Sequence, residues 1–398
     1  MKKKICIVTE GFPIVEGLEQ YLAAEIPFLA QEFEIDWIVD LNGKQGVEDK
    51  NGVRQFVRKN SFMFKIYAML SRFFWLGELK NIQKNGGVSL VKLRASIDYL
   101  AYALEFSNFV SNHHSKYDAF YTYWITPKTL GLSILNVPVV TRAHAFDVYF
   151  ERHKGDFLPF RPFIFSKVRL TSFISKQGFH YSKNKGFASR NYSINYLGVT
   201  GPSNVNLLAV KSKIIHLVSC SKVIPLKQLD LIVAFLEETE LSIKWTHIGD
   251  NFENIKKISE DRLSMRSNVS FDFLGYLSNE KVKIWYSNNS IDLFLNVSKT
   301  EGVPVSIMEA NSFSIPSIAP NIGGISELQI HQENFLLRSN KILEDLIKAI
   351  NFYDSLSLEK INELRTDFHL NWKVKFNAEI NYKIFAGQIK SSISKVDL

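Results

Sequence analysis

The stretch TEGVPVSIMEAN, residues 300–311, comes shortly after the apolar run IDLFLN and holds two glutamates, Glu301 and Glu309. It reads as the exit of a buried strand, a tight turn and the first turns of a helix. Gly302 permits a tight backbone, and Pro304 suits the first turn of a helix, where its missing N–H would be unpaired in any case. Because a helix N-terminus combines free N–H groups with a positive dipole end, this turn is a candidate anion site.

A carboxylate stands on either side of this candidate anion site. Glu309 lies roughly 7.5 Å further along the helix axis than Pro304, and its side chain should lean back toward the helix N-terminus. Since carboxylates bind sugar diols and repel phosphate, the arrangement suits a ligand with a diphosphate between two sugars. The alternative is that Glu301 caps the helix and Glu309 is a solvated helix residue. Spacing alone does not choose between the two interpretations.

Short apolar, β-branched runs alternate with helix-like stretches along the chain, which predicts parallel sheets with helices on both faces. The alternation occurs twice, so we predict an α/β protein with two Rossmann-like, doubly wound domains. Parallel sheets bind ligands beyond the carboxyl ends of their strands, and two facing domains would therefore enclose an interdomain cleft. The predicted strands are 5–9, 34–39, 119–123, 137–141, 168–173, 193–197, 214–219, 243–248, 269–273, 292–296 and 317–319, and helices are expected at 18–31 and 91–112.

The length of 398 residues is more than one hydrophobic core usually holds. Gly, Pro and Asn cluster in residues 198–212 after an apolar run, which predicts a boundary there. We therefore expect an N-terminal domain over 1–200 and a C-terminal domain over 201–374, with a helix near 375–398 that packs back on the first. Cys6 and Cys220 lie in separate apolar runs, which suits a reducing cytoplasm rather than a disulfide framework.

The net charge of +8 indicates an anionic partner. Residues 58–84 place basic side chains among aromatic ones, and the charges interrupt every apolar run, so a transmembrane helix is excluded here. The segment could lie in the headgroup layer of an anionic membrane, or it could be an ordinary helix that buries its aromatic residues. Both interpretations can hold together. The side chains concerned are Phe62, Phe64, Tyr67, Phe73, Phe74 and Trp75 with Lys59, Lys65, Arg72, Lys80 and Lys84.

The segment EGVPVSIMEANSFSIPSIAPNIGGISE, residues 301–327, resembles the signature of the retaining glycosyltransferases of family 4, which have the GT-B fold. That signature is E-G-x-P/G-x-x-x-x-E-A followed by a Gly-Gly-x-x-Glu turn. The resemblance implies that Glu301 contacts hydroxyls of the donor sugar and that Glu309 binds the nucleotide ribose. Ser314 departs from the family, which usually has glycine there. The backbone that would approach sugar and phosphate is that of Gly302, Val303, Pro304 and Val305.

Two lysines in SKVIPLKQ, residues 221–228, resemble the cations of the family pattern G-R-L-x-P-x-K-G. The resemblance implies that Lys222 and Lys227 lie beside the diphosphate, where they would stabilise charge on the leaving group. Lysine in place of arginine loses bidentate geometry at position 222. The alternative is a pair of solvated loop lysines. In FLGYLSNEK, residues 273–281, the resemblance implies that Tyr276 and Leu277 line the base pocket.

The first half of the chain resembles the same enzymes less regularly. In VVTRAHAFDVYFERH, residues 139–153, the family motif R-x-H-x-x-D is present. The resemblance implies that His144 contacts the donor sugar near the reacting carbon, while Arg142 and Asp147 hold the loop, and it places Gly17 close to the cleft. A lone histidine at a strand end is otherwise more often structural.

The resemblance implies a retaining glycosyltransferase, which we expect to act in surface polysaccharide biosynthesis. The second domain would bind a nucleotide-sugar donor, and the first would bind a saccharide or lipid-linked saccharide acceptor. The sequence has no Asp-x-Asp motif, so we expect no metal and no cofactor besides the nucleotide-sugar co-substrate. We expect a cytoplasmic protein in peripheral contact with an anionic membrane, at the inner face of the plasma membrane, and no nucleic-acid partner.

Three other interpretations are compatible with parts of the sequence. A catalytically degenerate GT-B scaffold that supports a partner enzyme is motivated by Ser221, Lys222 and Ser314, and it would bind no sugar nucleotide. Nucleic-acid binding through the positive charge lacks a recognisable groove-reading module. A sugar-nucleotide epimerase of the same fold would form product without an acceptor.

Overall fold

The computed structural model describes residues 2–9, 20–40, 52–59, 61–72, 74–187, 191–203 and 212–394. The chain divides into two compact units. The first is Met1–Tyr196 together with Asn381–Leu398, and the second is Leu197–Ile380. No helix in these described ranges is long and apolar enough to cross a bilayer.

The described strands of the first unit form one parallel sheet of seven strands in the order β3-β2-β1-β4-β5-β6-β7. Both faces of this sheet are covered. Ile5 and Ile7 pack into one hydrophobic cluster and Cys6 and Val8 into the other, which is why the first strand reads as a continuous apolar run. The strands are β1 (Lys3–Thr9), β2 (Phe33–Asp40), β3 (Val53–Phe56), β4 (Ala119–Thr122), β5 (Val139–Ala143), β6 (Leu170–Phe173) and β7 (Tyr192–Ile194).

The helices of the first unit include a long central helix, α4, that begins after the N-cap Ser89, whose Oγ accepts a hydrogen bond from the Lys92 backbone N–H at 3.3 Å. A π-helical turn, Phe74–Glu78, precedes α3. The helices are α1 (Gln20–Glu32), α2 (Ser61–Leu70), α3 (Leu79–Lys84), α4 (Leu90–Ser111), α5 (Pro127–Ile134), α6 (Ala145–Val148), α7 (Arg161–Lys167) and α8 (Lys176–Asn184), with 3₁₀ turns at His114–Lys116 and Phe150–Arg152.

The second unit repeats the same design. Its described strands are all parallel in the order β10-β9-β8-β11-β12-β13. The strands are β8 (Ile215–Cys220), β9 (Ile243–Ile248), β10 (Val269–Phe273), β11 (Leu293–Leu295), β12 (Ser317–Pro320) and β13 (Leu336–Leu337). The helices are α9 (Asp230–Glu238), α10 (Glu253–Leu263), α11 (Asn279–Asn288), α12 (Val305–Ser312), α13 (Ile325–Leu328), α14 (Gln332–Phe335), α15 (Ile342–Ser355) and α16 (Leu358–Lys375), with a 3₁₀ turn at Pro225–Lys227.

The last helix, α17 (Ala378–Ser394), begins in the second unit, and its residues from Asn381 onward belong to the first. The buried Arg142 joins this helix to the first sheet. Its Nε donates to Glu25 Oε2 at 3.0 Å, and its guanidinium carbon lies 4.0 Å from the ring centroid of Phe385. Gln388 Oε1 accepts a hydrogen bond from Asn195 Nδ2 at 2.7 Å. Arg142 therefore has a structural role in the first unit.

A buried carboxylate, Glu78, ends the π-helical turn and ties three segments of the first unit together. Its Oε1 accepts hydrogen bonds at 3.0 Å from Ser96 Oγ and from the Phe160 backbone N–H, and its Oε2 accepts one at 3.1 Å from Asn81 Nδ2. Burial raises the pKa of Glu78 to about 7, although these hydrogen bonds and the charge of Arg161 act in the opposite direction.

We expect Glu78 to make the stability of the first unit depend on pH. The folded pKa of about 7 lies above the ordinary value of 4.5, so the stabilisation is complete below pH 4.5 and is lost as pH rises through 7. The loss amounts to about 3 kcal/mol. Glu78→Gln keeps the shape of the side chain but removes its ionisable carboxyl group. The melting temperature of this variant should therefore fall less between pH 5 and pH 8 than that of the wild type. Glu34→Gln, at an exposed position on β2, is the control. Equal pH dependence in the wild type and Glu78→Gln would contradict the expectation.

Candidate functional site

The candidate site lies at the carboxyl edge of the second sheet. The strand order reverses between β8 and β11, because the chain runs outward to β9 and β10 on one side and to β12 and β13 on the other. Open parallel sheets bind ligands outside the carboxyl ends of their strands at such a reversal. The loop after β8 carries Lys227 and the loop after β11 carries Glu301, so the topology brings these two predicted site residues together.

Glu301 and Lys227 form an ion pair in which Lys227 Nζ lies 2.5 Å from Glu301 Oε1. The same oxygen accepts hydrogen bonds from Ser298 Oγ at 2.7 Å and from Asn296 Nδ2 at 3.3 Å. The side chains of Lys227 and Glu301 are 25% and 13% exposed, so both are partly shielded from water. No side chain caps α12, and the alternative that Glu301 is a helix cap is therefore wrong.

The loop between Glu301 and α12 presents backbone rather than side chains. Val303, Pro304 and Val305 are buried, and Gly302 is half-buried. Pro304 has ψ at 118° and is the N-cap, so α12 begins one residue later than predicted, at Val305. The first N–H groups of a helix have no acceptor within the helix, and they are the groups of this loop that can bind an anion.

The predicted Gly-Gly turn holds this loop in place. The backbone N–H of Gly324 donates to the carbonyl oxygen of Gly302 at 2.6 Å. Gly323 has φ at +51°, and a Cβ at this position would collide with the carbonyl oxygen of Glu301. Only glycine satisfies both constraints at this position. The turn therefore fixes the backbone that carries Glu301.

Glu309 is buried on the other side of the α12 N-terminus, with 7% exposure, so the alternative of a solvated helix residue is wrong. Asn279 Nδ2 donates a hydrogen bond to Glu309 Oε1. Burial raises the pKa of Glu309, while Asn279 and the charge of Lys283 act against that shift. The negative charge of Glu309 in turn helps to raise the pKa of the Cys220 thiol, at the end of β8, to about 12, although burial is the larger cause.

The predicted base-pocket residues precede α11, whose first residue, Asn279, is hydrogen-bonded to Glu309. Tyr276, which is 49% exposed, and Leu277 directly precede the turn of α11 that carries Asn279. The Gly249 N–H donates to the carbonyl oxygen of Gly275 at 2.9 Å, so the loops after β9 and β10 are joined. Lys222 is exposed and makes no ion pair with Glu301 in the described ranges.

A cavity of about 370 Å³ opens beside Ser298, beyond the carboxyl ends of β8, β11, β12 and β13. Its walls mix hydroxyl, amide and charged groups with aliphatic side chains. The predicted site residues do not line it. The lining residues are Gln228, Leu231, Ser298, Lys299, Ile322 and residues 339–344.

In the first unit, His144 follows β5 and is the N-cap of α6, where its backbone N–H donates to Asp147 Oδ2 at 3.1 Å. Its ring centroid lies 4.7 Å from that of Tyr123 and 4.2 Å from that of Trp124. Burial and the charge of Arg142 lower the pKa of His144 to about 3, so the imidazole is neutral. Its Nε2 is buried and has no hydrogen-bond partner in the described part of the chain. The predicted Gly17 lies outside the described residues.

Three side chains that the sequence did not identify contact the two glutamates: Asn279, Asn296 and Ser298. A signal for two of them was present, because Asn296 and Ser298 directly follow the buried strand β11, where polar side chains of a parallel sheet meet a ligand. Asn279 lies thirty residues before Glu309, and only the packing of α11 beside α12 brings them together.

The tight turn after α12 forms at Ser314, where the sequence lacks the glycine that is usual in the family. Ser314 has φ at +60°, and the next backbone N–H, of Ile315, donates to the carbonyl oxygen of Ala310 at 3.0 Å. The Ser314 hydroxyl is buried and has no hydrogen-bond partner in the ranges described. The chain therefore keeps the tight turn, although the left-handed backbone conformation is strained for a serine.

We expect Ser314→Gly to stabilise the protein by about 1 kcal/mol. Relief of the left-handed strain, about 1–2 kcal/mol, and removal of an unpaired buried hydroxyl outweigh the roughly 0.4–1 kcal/mol of added entropy in the unfolded chain. Ser312→Gly, at the helical end of α12, should instead destabilise by about 1 kcal/mol. Thermal or urea unfolding measures the free energy of unfolding of both variants. If Ser314→Gly loses as much stability as Ser312→Gly, the backbone at Ser314 is not strained.

Residues 211–369 match the family model described as glycosyl transferases group 1. This match covers less than half of the chain but contains the entire site of the second unit. An uncharacterized glycosyltransferase of Haemophilus influenzae is 28% identical over 111 residues, which are 28% of this chain and 30% of that protein. The matched part is thus under a third of the relative's length.

Two solved structures share the fold over nearly the whole chain. The structure of Anabaena HepE in complex with UDP has a TM-score of 0.68 at 17% identity and covers 98% of this chain and 100% of that one. The lipopolysaccharide outer core galactosyltransferase WaaB, in its apo form, has a TM-score of 0.64 at 14% identity and covers 96% and 99%. With the two parallel sheets, these likenesses confirm the predicted fold class, two Rossmann-like domains of the GT-B type.

Proposed function

We propose that this protein is a retaining glycosyltransferase of family 4, which moves a sugar from a nucleotide-sugar donor to a saccharide or lipid-linked saccharide in surface polysaccharide biosynthesis. The observation that carries the proposal is the Lys227–Glu301 ion pair of 2.5 Å at the reversal of strand order. Further support comes from the group 1 match, which spans this site, and from the UDP held by the HepE structure.

The donor would bind along the N-terminal end of α12. The diphosphate would rest against the backbone of Val303–Val305, where helix N–H groups and the helix dipole attract anions. Glu309 would accept hydrogen bonds from the ribose hydroxyls, with Tyr276 and Leu277 beside the base. Glu301 would accept hydrogen bonds from the donor sugar. Lys227, which pairs with Glu301, would contact the diphosphate, and Lys222 would join it from its exposed position.

In the transfer step, the bond between the anomeric carbon and the diphosphate oxygen breaks, and the acceptor oxygen bonds to that carbon on the same face. The departing phosphate oxygen takes the acceptor proton, so no side-chain base is required. Lys227 would stabilise the negative charge that develops on the leaving group. The neutral His144 would contact the donor sugar near the reacting carbon. In this proposal no metal ion and no cofactor besides the nucleotide sugar takes part.

We expect Glu301→Ala and Lys227→Ala each to lower kcat by about 10²–10³ while the melting temperature stays close to that of the wild type. A thermal-shift screen of UDP-, GDP- and ADP-sugars identifies the donor, and release of the nucleoside diphosphate in the presence of acceptor measures transfer. The exposed Lys256–Glu260 pair on α10, at 3.9 Å, supplies the control variants Lys256→Ala and Glu260→Ala. Full turnover by Glu301→Ala would sink the proposal, and absence of all sugar-nucleotide binding would favour a scaffold.

We also propose that the first unit contacts an anionic membrane, at the cytoplasmic face, through an apolar surface made by residues 57–59, 61–72 and 76–91. Helix α2 buries Phe64 and Ala68, as the core interpretation predicted, but most of its other large side chains face solvent. The exposed apolar side chains of this surface are Val57, Phe62, Met63, Ile66, Tyr67, Met69, Leu70, Leu76, Val88, Leu90 and Val91.

Two ion pairs show how α2 lies against α4. Lys65 Nζ lies 2.7 Å from Asp98 Oδ1, and Arg58 Nε lies 3.1 Å from Glu105 Oε2. Arg58, which precedes α2, pairs with a later residue of α4 than Lys65 does, so α2 runs antiparallel to α4. Exposed cations lie in and next to the same segment of the sequence, and they would supply the charge that anionic headgroups attract. These cations are Lys59, Arg72, Lys80, Lys84 and Arg94.

We expect the double variant Phe62→Ser with Leu70→Ser to lower binding to anionic vesicles about tenfold, since these two side chains are 77% and 76% exposed and would lose their transfer into the headgroup layer. Cosedimentation with phosphatidylcholine vesicles, with and without 30 mol % phosphatidylglycerol (roughly the anionic fraction of a bacterial membrane), measures binding. Met265→Ser, which removes the 91% exposed side chain of Met265 from the second unit, is the control. Equal binding by the wild type and the double variant would exclude this surface.

A further inference from the structure

The three hydrogen-bond and ion-pair donors around Glu301 all converge on one of its two carboxylate oxygens. Lys227 Nζ, Ser298 Oγ and Asn296 Nδ2 lie 2.5, 2.7 and 3.3 Å from Oε1. The other oxygen, Oε2, has no hydrogen-bond partner among the residues that the structure describes. The carboxylate is therefore held by one oxygen and free to accept hydrogen bonds with the other.

Asn296 and Ser298 are fixed by the sheet rather than by the ligand site. The Asn296 backbone N–H donates to the carbonyl oxygen of Ile318 at 3.0 Å, as a continuation of the pairing between β11 and β12. Asn296 Oδ1 accepts a hydrogen bond from the Ser298 backbone N–H at 3.0 Å. This bond determines which way the amide points and turns its Nδ2 toward Glu301. Both residues are buried.

We propose that Asn296 and Ser298 are positioning residues that hold Glu301 so that Oε2 alone faces the donor sugar. The inference rests on the proposed function. When the diphosphate draws Lys227 away, two of the three bonds to Oε1 remain, so Glu301 keeps its orientation while Lys227 changes partner. Without these two side chains, Glu301 would follow Lys227 or rotate, and it would no longer meet the sugar hydroxyl.

Substitution of Asn296 or Ser298 should therefore affect the Kd of the nucleotide sugar more than the Kd of the nucleoside diphosphate. The nucleoside diphosphate is bound by α12, Glu309 and the lysines, so its Kd should change less than about twofold in Asn296→Ala and Ser298→Ala. The nucleotide sugar depends on an oriented Glu301, so its Kd should rise about tenfold, the equivalent of one hydrogen bond to a charged group. Ser298→Thr keeps the hydroxyl and should restore the wild-type affinity.

Calorimetric titration of the wild type with four probes, UDP, UDP-glucose, GDP and GDP-mannose, shows which nucleotide and nucleotide sugar bind. The same pair is then titrated into the variants. Asn288→Ala, at an exposed position of α11, is the matched asparagine control, and melting temperatures show that each variant is folded. Equal losses for the nucleotide and its sugar, or no loss for either, would overturn the positioning role. If the wild type binds neither these four probes nor any sugar nucleotide of the thermal-shift screen, the proposed function itself fails.

Discussion

The site depends on one constraint: a partly buried carboxylate, Glu301, has to be compensated by donors that the fold delivers from distant parts of the sequence. An ionised carboxylate away from water is costly unless it is paired and hydrogen-bonded. The parallel sheet supplies those partners, because the loops after β8 and β11 emerge side by side where the strand order reverses. Lys227 comes from the first loop, Asn296 and Ser298 from the second, and the Gly323–Gly324 turn holds the backbone between them.

The two glutamates differ in their surroundings, and the difference fits different ligands. Glu301 is partly exposed, and its partner is the cation Lys227. Glu309 is buried, its hydrogen-bond donor is an amide, and its pKa is raised. A ligand that brings hydroxyl donors to Glu309 would stabilise its ionised form. The helix N-terminus between them is suited to phosphate.

The sequence predicts much of the fold because both faces of each sheet are buried. Apolar runs are then continuous, and the predicted bounds of Ile243–Ile248 and Val269–Phe273 match the structure residue for residue. Among the described residues, two strands were not predicted, Val53–Phe56 and Leu336–Leu337, which lie at sheet edges and are short. Pairwise contacts could not be predicted, since the partners of Glu301 and Glu309 are set by packing between loops and helices. The left-handed turn at Ser314 could not be predicted either, because a serine rarely adopts this backbone conformation and glycine is the residue that usually does.

The most direct measurement of the central claim is a crystal structure with the nucleotide sugar bound. We expect the diphosphate to lie within hydrogen-bonding distance of the backbone N–H groups at the start of α12. Glu301 Oε2 should accept a hydrogen bond from a sugar hydroxyl, and Glu309 should contact the ribose. A diphosphate bound elsewhere on the molecule, with both carboxylates away from the ligand, would contradict the account.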